Sequence, residues 1–241
     1  MIGLGTIINA LAIIVGGIFG HFFGKLLSER FSQTLTTACG VSVLFIGIGG
    51  GLEGMLSVNG ASVSSGRGVF IVVCILLGAL FGEILNFEGL FEKFGIWLRE
   101  KTGNAKDKNF VEGFLNATFT VCIGAMAIVG AIEDGLTGDF SILLTKSILD
   151  LIIVMVMTAS MGKGPVFSFI PVLLLQGLFT LLARFISPLL TESSLANLSM
   201  IGSILIFCVG INLVFGKKVK VANLLPAIIF AVAFAFLPFN L

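Results

Sequence analysis

Eight apolar stretches, each close to 20 residues long, divide this chain and leave little sequence between them. A hydrocarbon core needs about 20 consecutive apolar residues in a helix that crosses it, so each stretch predicts one membrane-spanning helix. The chain is therefore expected to be an all-α polytopic membrane protein, with residues 1–241 forming one transmembrane domain in a lipid bilayer. The predicted spans are 3–23, 33–52, 69–87, 113–132, 140–161, 165–187, 195–215 and 222–240.

Basic residues are distributed unevenly over the connections between these spans. Eleven of the fourteen fall on one side if every stretch crosses once, and the other side carries only Arg67. Cytoplasmic connections are enriched in Lys and Arg, so both termini are predicted to lie outside. The eleven are Lys25, Arg30, Lys93, Arg99, Lys101, Lys106, Lys108, Lys163, Lys217, Lys218 and Lys220.

Catalytic and cofactor-binding patterns are absent from the sequence. It has one histidine and no tyrosine, and it lacks HExxH, P-loop and nucleophile-elbow motifs. The four cysteines have no metal-ligand spacing, and no basic, aromatic surface for nucleic acid is apparent. We therefore expect no enzyme, no cofactor and no nucleic-acid partner.

Short internal matches indicate related hairpins. Gly16–His21 resembles Gly78–Glu83, which makes helices 1–2 and 3–4 copies in the same orientation. Phe22–Gly47 aligns without gaps with Phe185–Gly210, and the charge distribution places that hairpin, helices 6–7, upside down. Inverted repeats are the usual basis of two-sided access to a midplane site. A duplicated helical bundle without any cargo fits the same matches.

Asp150 falls in the middle of the fifth stretch, with Lys146 one turn away on the same helical face. An isolated charge at that depth costs at least about 2.5–3.5 kcal/mol, so the two side chains are expected to pair. The pair fits either an ion pair that holds its helix in the bundle or a coupling or substrate site. Gln176, Asn9 and Asn116 either line a path or hydrogen-bond between helices.

Glycines predict interruptions in the second and seventh helices. Gly47 and Gly49 belong to a glycine run in helix two, and Gly210 and Asn212 form its inverted counterpart. Unwound backbone is tolerated in a bilayer only where protein or water satisfies it, and many transporters bind cargo at such breaks. Gly49 and Asn212 are thus expected to approach one polar cavity from opposite sides. Close helix packing is the alternative.

Other glycines fit close packing better. Gly16, Gly20 and Gly24 are spaced four apart on one face of the first helix. Small residues at that spacing let helix backbones approach closely. Such faces also make a homodimer a candidate assembly.

Polar residues at span ends give two further candidates. Glu53, Glu133 and Asp134 lie at the external ends of helices two and four, where they either bind a divalent cation or end the helices in solvent. His21 and Glu83 occupy matching positions near the cytoplasmic face. A contact between them would form a gate that titrates near neutrality, and a hydrogen-bonded lone histidine is the alternative.

Two connections are long. In the cytoplasmic segment 88–112, apolar residues at helical spacing predict an amphipathic helix in the membrane interface, with docking of a soluble partner as the alternative. These residues are Phe91, Phe94, Trp97 and Leu98. The external segment 55–68 is rich in Ser and Gly and is expected to be a flexible loop or a short lid.

Three strings resemble a known family over essentially the whole chain: Cys39–Gly54, Ser160–Gly177 and Gly210–Ala227. They are similar to bacterial integral membrane proteins of the domain-of-unknown-function 554 family. The resemblance implies the all-α fold and the cytoplasmic (inner) membrane of a bacterium, and it implies no activity.

Together these patterns predict a secondary transporter or channel-like permease for a small ion or polar solute. The alternative is a non-transporting membrane scaffold that uses the 88–112 segment to hold a soluble partner. A water-accessible cavity reaching Asp150 would favour transport, and a packed, dry ion pair would favour the scaffold.

Overall fold

A computed structural model describes residues 2–59 and 62–236. This part of the chain folds into helices and one two-stranded hairpin. The α-helices are α1 (Leu4–Gly24), α2 (Glu29–Met55), α3 (Gly68–Leu85), α4 (Phe87–Lys101), α5 (Phe110–Cys122), α6 (Ala125–Thr137), α7 (Ser141–Met161), α8 (Phe169–Leu181), α9 (Ala183–Ile186), α10 (Glu192–Phe215), α11 (Val221–Leu224) and α12 (Pro226–Phe234). Short 3-10 helices cover Gly164–Ser168 and Ser187–Leu189, and the strands are β1 (Leu56–Asn59) and β2 (Ser62–Ser65).

Six helices in the described ranges are long and apolar enough to cross a membrane. They are α1, α2, α3, α7, α10 and the segment Gly164–Leu181, which ends in α8. Helices α5 and α6 together have the length and composition of a seventh span, but they meet at an angle of 60°. The protein is therefore an all-α polytopic membrane protein. Within the described ranges, eight uninterrupted spans are not found, because 113–132 is broken and the apolar segment Val221–Phe234 is short. The predicted last span, 222–240, continues into residues 237–240, which lie outside the described residues.

The segment expected to be a flexible loop or lid contains a β-hairpin. Strands β1 and β2 pair antiparallel, with Leu56 opposite Ser65 and Ser57 opposite Ser64. Alternating small polar and apolar residues suit a short strand pair that joins the end of α2 to the start of α3.

Helix α1 packs closely against α7 through its glycines, as the spacing of Gly16, Gly20 and Gly24 predicted. A Cβ at Gly16 would clash with the carbonyl oxygen of Leu151, and one at Gly24 would lie 2.8 Å from the carbonyl oxygen of Ala159. The contacts advance in the same direction along both helices, so α1 and α7 run parallel. Close packing is confirmed for this stripe.

The predicted breaks in α2 and α10 are wrong, because both helices continue through their glycines. A Cβ at Gly47 would lie 2.5 Å from the backbone nitrogen of Phe207, and one at Gly210 would lie 2.8 Å from that of Leu44. The missing Cβ atoms are thus used to bring two antiparallel helices together, and every turn keeps its backbone hydrogen bonds. Helix α3 packs in the same way, with Gly78 against Ala227 of α12.

These stripes bear on the predicted homodimer. The glycine faces of α1, α2 and α3 are each occupied by another helix of the same chain. A homodimer through these faces would have to displace these contacts, so the assembly stays a prediction.

Segment 88–112 contains α4, which packs on α5 through aromatic rings. The ring centroids of Phe91 and Phe119 are 5.4 Å apart, and those of Phe94 and Phe114 are 5.9 Å apart. Trp97 stays 51% exposed. The apolar face of α4 is therefore shared between the protein core and its surroundings, as suits a helix at the edge of the bundle.

Candidate functional site

The span made by α5 and α6 is interrupted at Ile123 and Gly124. Ile123 is extended, and Gly124 has φ 143° and ψ 150°, a conformation that is essentially restricted to glycine. A helix end leaves carbonyl groups, and a helix start leaves amides, without partners in the helix. The break therefore presents backbone hydrogen-bonding groups inside a bundle where a straight helix was predicted.

A buried ion pair lies beside this break. The Nζ of Lys146 donates to Oδ2 of Asp150 at 2.5 Å, and the two residues are only 7% and 3% exposed. The predicted pairing is confirmed. The thiol of Cys122, the last residue of α5, lies close enough to interact electrostatically with both charges. Charged groups of α7 thus adjoin the end of α5.

Two buried carboxamides have no hydrogen-bond partner in the described structure. Asn9 on α1 and Gln176 on α8 are fully buried, and the nitrogen and oxygen of each amide lack a partner. The Asn9 side chain lies close enough to Asp150 to interact with its carboxylate, whereas Gln176 has no such neighbour among the described contacts. Buried polar groups are normally paired, so the Gln176 amide in particular requires an explanation.

Flanking contacts place these amides at the same level of the bundle. On one side of them, the hydroxyls of Thr6 and Thr180 are 3.4 Å apart and link α1 to α8. On the other side, apolar side chains of α1, α5, α7 and α8 form one cluster: Ile13, Val121, Val154 and Val172. Asn9 and Gln176 each lie between these two levels. We call Asn9, Lys146, Asp150 and Gln176 the polar layer.

The carboxylates that were expected at the external helix ends do not form the predicted cation site. Both oxygens of buried Asp134 accept hydrogen bonds from the first amides of α1, at 3.1 Å from Gly3 and 3.0 Å from Gly5. Glu53 is exposed on α2. Among residues 2–59 and 62–236, no three His, Cys, Asp or Glu side chains are placed to hold a metal. Asp134 instead satisfies a helix N-terminus, where a carboxylate is favourable.

Another carboxylate acts similarly at the start of α7. Hydrogen bonds from the hydroxyl and the backbone amide of Ser141 hold the pKa of Asp139 below its ordinary value. Asp139 lies in the short connection between α6 and α7.

The predicted gate between His21 and Glu83 is wrong. Glu83 accepts from Nζ of Lys220 at 2.8 Å and from the amide of Asn223 at 2.5 Å, which ties α3 to the start of α11. His21 instead lies near the positive charge of Lys25. The matching positions in the sequence therefore face different neighbours.

Gly49 and Asn212 do not share a cavity, so that prediction is also wrong. A Cβ at Gly49 would find no atom within 4 Å, because the residue lies on the exposed face of α2. The Asn212 amide closes the connection after α10: Nδ2 donates to the carbonyl of Val219 at 2.8 Å, and Oδ1 accepts from the amides of Lys218 and Val219.

The sequence thus predicted the ion pair, and it named Gln176 and Asn9 as polar groups within the spans, but it gave no prediction of the break beside the pair. Its only local signal was Gly124, one of 31 glycines in the chain. Such a residue inside a long apolar stretch is ordinary, so composition alone could not single it out.

Comparison with known proteins fits this membrane architecture. A family model described as "Protein of unknown function (DUF554)" matches residues 4–236. The Uncharacterized protein YqgA of Escherichia coli K12 is 32% identical over 232 residues, covering 95% of this chain and 94% of the relative. The Uncharacterized membrane protein YdfK of Bacillus subtilis 168 is 28% identical over 225 residues, with 93% and 92% covered. No solved structure matches the chain. The match to the family model over nearly the whole chain means that this membrane protein belongs to the DUF554 family.

Proposed function

We propose that the protein is a permease, a secondary transporter or a channel-like one, for a small ion or polar solute in a bacterial cytoplasmic (inner) membrane. Its path crosses the polar layer beside the α5–α6 break. One observation carries the proposal: at the level of the buried Lys146–Asp150 pair lie two fully buried amides, Asn9 beside Asp150 and Gln176 with neither amide atom partnered.

The free-energy cost of unpaired buried amides supports a path through the polar layer. A buried polar group without a partner costs about 1–3 kcal/mol, and the Gln176 amide alone leaves two such atoms. A path in which water or a solute supplies the missing hydrogen bonds removes that cost in the conducting state. Broken helices near ionisable residues are also typical of substrate sites in transporters.

A solute screen in proteoliposomes tests the proposal. Once a transported solute is found, Gln176→Leu should lower its flux at least about tenfold, because a lost hydrogen bond to a desolvated solute costs about 1.5–3 kcal/mol when a charge is involved. Gly177→Leu is the matched control: it adds the same side chain at the next position, where no atom lies within 4 Å of a new Cβ. Equal flux in the two variants would show that the transport path does not run through the polar layer.

The non-transporting scaffold remains the second candidate, and the closed ion pair favours it, since both partners are buried and 2.5 Å apart. In a permanently dry core, Gln176→Leu removes two unsatisfied atoms and should raise thermal stability. Higher stability together with no flux for any screened solute would favour the scaffold.

A further inference from the structure

A second polar site lies away from the polar layer, on the side that the charge distribution assigns to the cytoplasm. It is a pocket of about 210 Å³ between α4, α5, the end of α10 and α11. Its polar lining residues are Glu88, Glu92, Lys108, Glu112, Asn116, Asn212 and Lys217. The pocket therefore adjoins the first half of the broken span.

Part of this lining is already engaged within the protein. Lys217 pairs with Glu88 at 3.0 Å and also with Glu92. The second oxygen of Glu88 accepts from the backbone amide of Ala222 at 3.2 Å. These three charged side chains thus pair with one another and connect α4 to the segment that follows α10.

Three other groups are not engaged. Glu112 and Lys108 line the same pocket, and neither forms an ion pair with any residue of the described ranges. Asn116 is only 5% exposed, and its amide nitrogen is buried without an acceptor. The pocket therefore presents an unpaired carboxylate, an unpaired ammonium and an unpaired amide donor.

We propose that this pocket binds a small zwitterion that carries an ammonium and a carboxylate group, as an α-amino acid does. The ammonium of the solute pairs with Glu112. Its carboxylate accepts from Nδ2 of Asn116 and pairs with Lys108. Charge-assisted hydrogen bonds of this kind are the strong ones in proteins. The inference rests on the proposed function in that it names a substrate class for the permease.

Size and ligand chemistry support a small organic solute. Drug-sized ligands occupy pockets of roughly 300–1,000 Å³, so a pocket of about 210 Å³ suits a molecule of few heavy atoms. A chelated metal fits less well, since no three His, Cys, Asp or Glu side chains in the described residues are placed to hold one. An ammonium needs fewer carboxylates, because it donates its own hydrogen bonds.

Equilibrium binding to the purified full-length protein in detergent tests the proposal without requiring transport. Three probes separate the charges: L-alanine has both, ethylammonium lacks the carboxylate, and propionate lacks the ammonium. Titration calorimetry should show saturable binding of alanine, at least about tenfold tighter than that of either single-charge probe. Glu112→Gln and Lys108→Gln should each weaken alanine binding about tenfold or more. Glu100→Gln, an exposed carboxylate of α4 outside the pocket, should leave it unchanged.

Each result decides one point. No saturable alanine binding, equal binding of the three probes, or full affinity in Glu112→Gln would overturn the zwitterion site. Flux of some other solute alongside such a result would leave the proposed permease standing. Alanine binding that depends on Glu112, with no flux in proteoliposomes, would support the site and count against transport. Asn116→Leu adds a second check, because it removes only the uncharged donor and should weaken alanine more than ethylammonium.

Discussion

Removing one member of the Lys146–Asp150 pair should destabilise the protein more than removing both. Asp150→Asn leaves a buried ammonium, and Lys146→Met leaves a buried carboxylate, with side chains only 9% and 4% exposed in the intact pair. An uncompensated buried charge costs about 3–5 kcal/mol. For a chain of this size, 1 kcal/mol corresponds to roughly 2–4 °C in Tm, so each single variant should melt roughly 6–20 °C lower.

The double variant should recover part of this loss, since it leaves no buried charge. Thermal unfolding in detergent, followed with a thiol-reactive dye, is a suitable assay because the four cysteines are free and buried or half-buried. Lys220→Met is the control: it breaks an ion pair whose side chains are 57% and 61% exposed, and it should shift Tm much less. A double variant no more stable than the worse single variant would refute the interaction.

Three further outcomes are expected. A membrane-impermeant thiol reagent added to intact cells should label a cysteine at residue 60, which lies outside the described residues, and not one at residue 104; the reverse pattern would invert the topology. Gly20→Ala should cost about 1–3 kcal/mol in unfolding free energy, because its Cβ would meet the α7 backbone, whereas Gly49→Ala should stabilise by up to about 1 kcal/mol; equal melting of the two would disprove this packing difference. Because the folded-state pKa of Asp139 is lowered, its contribution to stability is present above the unfolded pKa and is lost as the pH falls through the folded value. Asp139→Asn should thus lower Tm slightly near neutral pH, and the difference should shrink as the pH falls below about 3.9, the ordinary pKa of Asp; a difference that does not shrink in acid would contradict the cause.

Local patterns in the sequence were enough to predict local contacts. Lys146 and Asp150 are one turn apart on one helix, so their pairing depends only on helix geometry. The spacing of Gly16, Gly20 and Gly24 similarly defines a smooth helix face, whatever helix packs against it. The apolar stretches and their lengths predicted most of the spans for the same reason.

The same patterns could not predict contacts between residues that are far apart in the sequence. Asp134 was expected beside other carboxylates, but the start of α1, 131 residues away, offers it free amides. Glu83 likewise meets Lys220 rather than His21. Glycine runs were the most misleading signal. A missing Cβ allows both an unwound backbone and a close helix contact, so the run itself does not distinguish the two. The neighbouring helix decides between them, and Gly47 has Phe207 against it.

The close glycine contacts also limit where the polar layer could open. Helix α1 packs so closely on α7 that the two helices are expected to move together, and Asn9 would then move with Lys146 and Asp150. The α5–α6 segment packs equally closely on the segment ending in α8, where a Cβ at Gly135 would clash with the carbonyl oxygen of Thr180.

The polar layer lies among α1, α7, α5–α6 and α8. A path between α1 with α7 on one side and α5–α6 with α8 on the other requires the contacts between these pairs to loosen, among them Gly17 against Val166 and the hydrogen bonds of Asp134 with the start of α1. The hydroxyls of Thr6 and Thr180, 3.4 Å apart, join the pairs at one end of the layer. A disulfide between cysteines at these two positions should therefore abolish flux, and reduction should restore it. Undiminished flux in the oxidised double variant would show that the path does not run between these pairs.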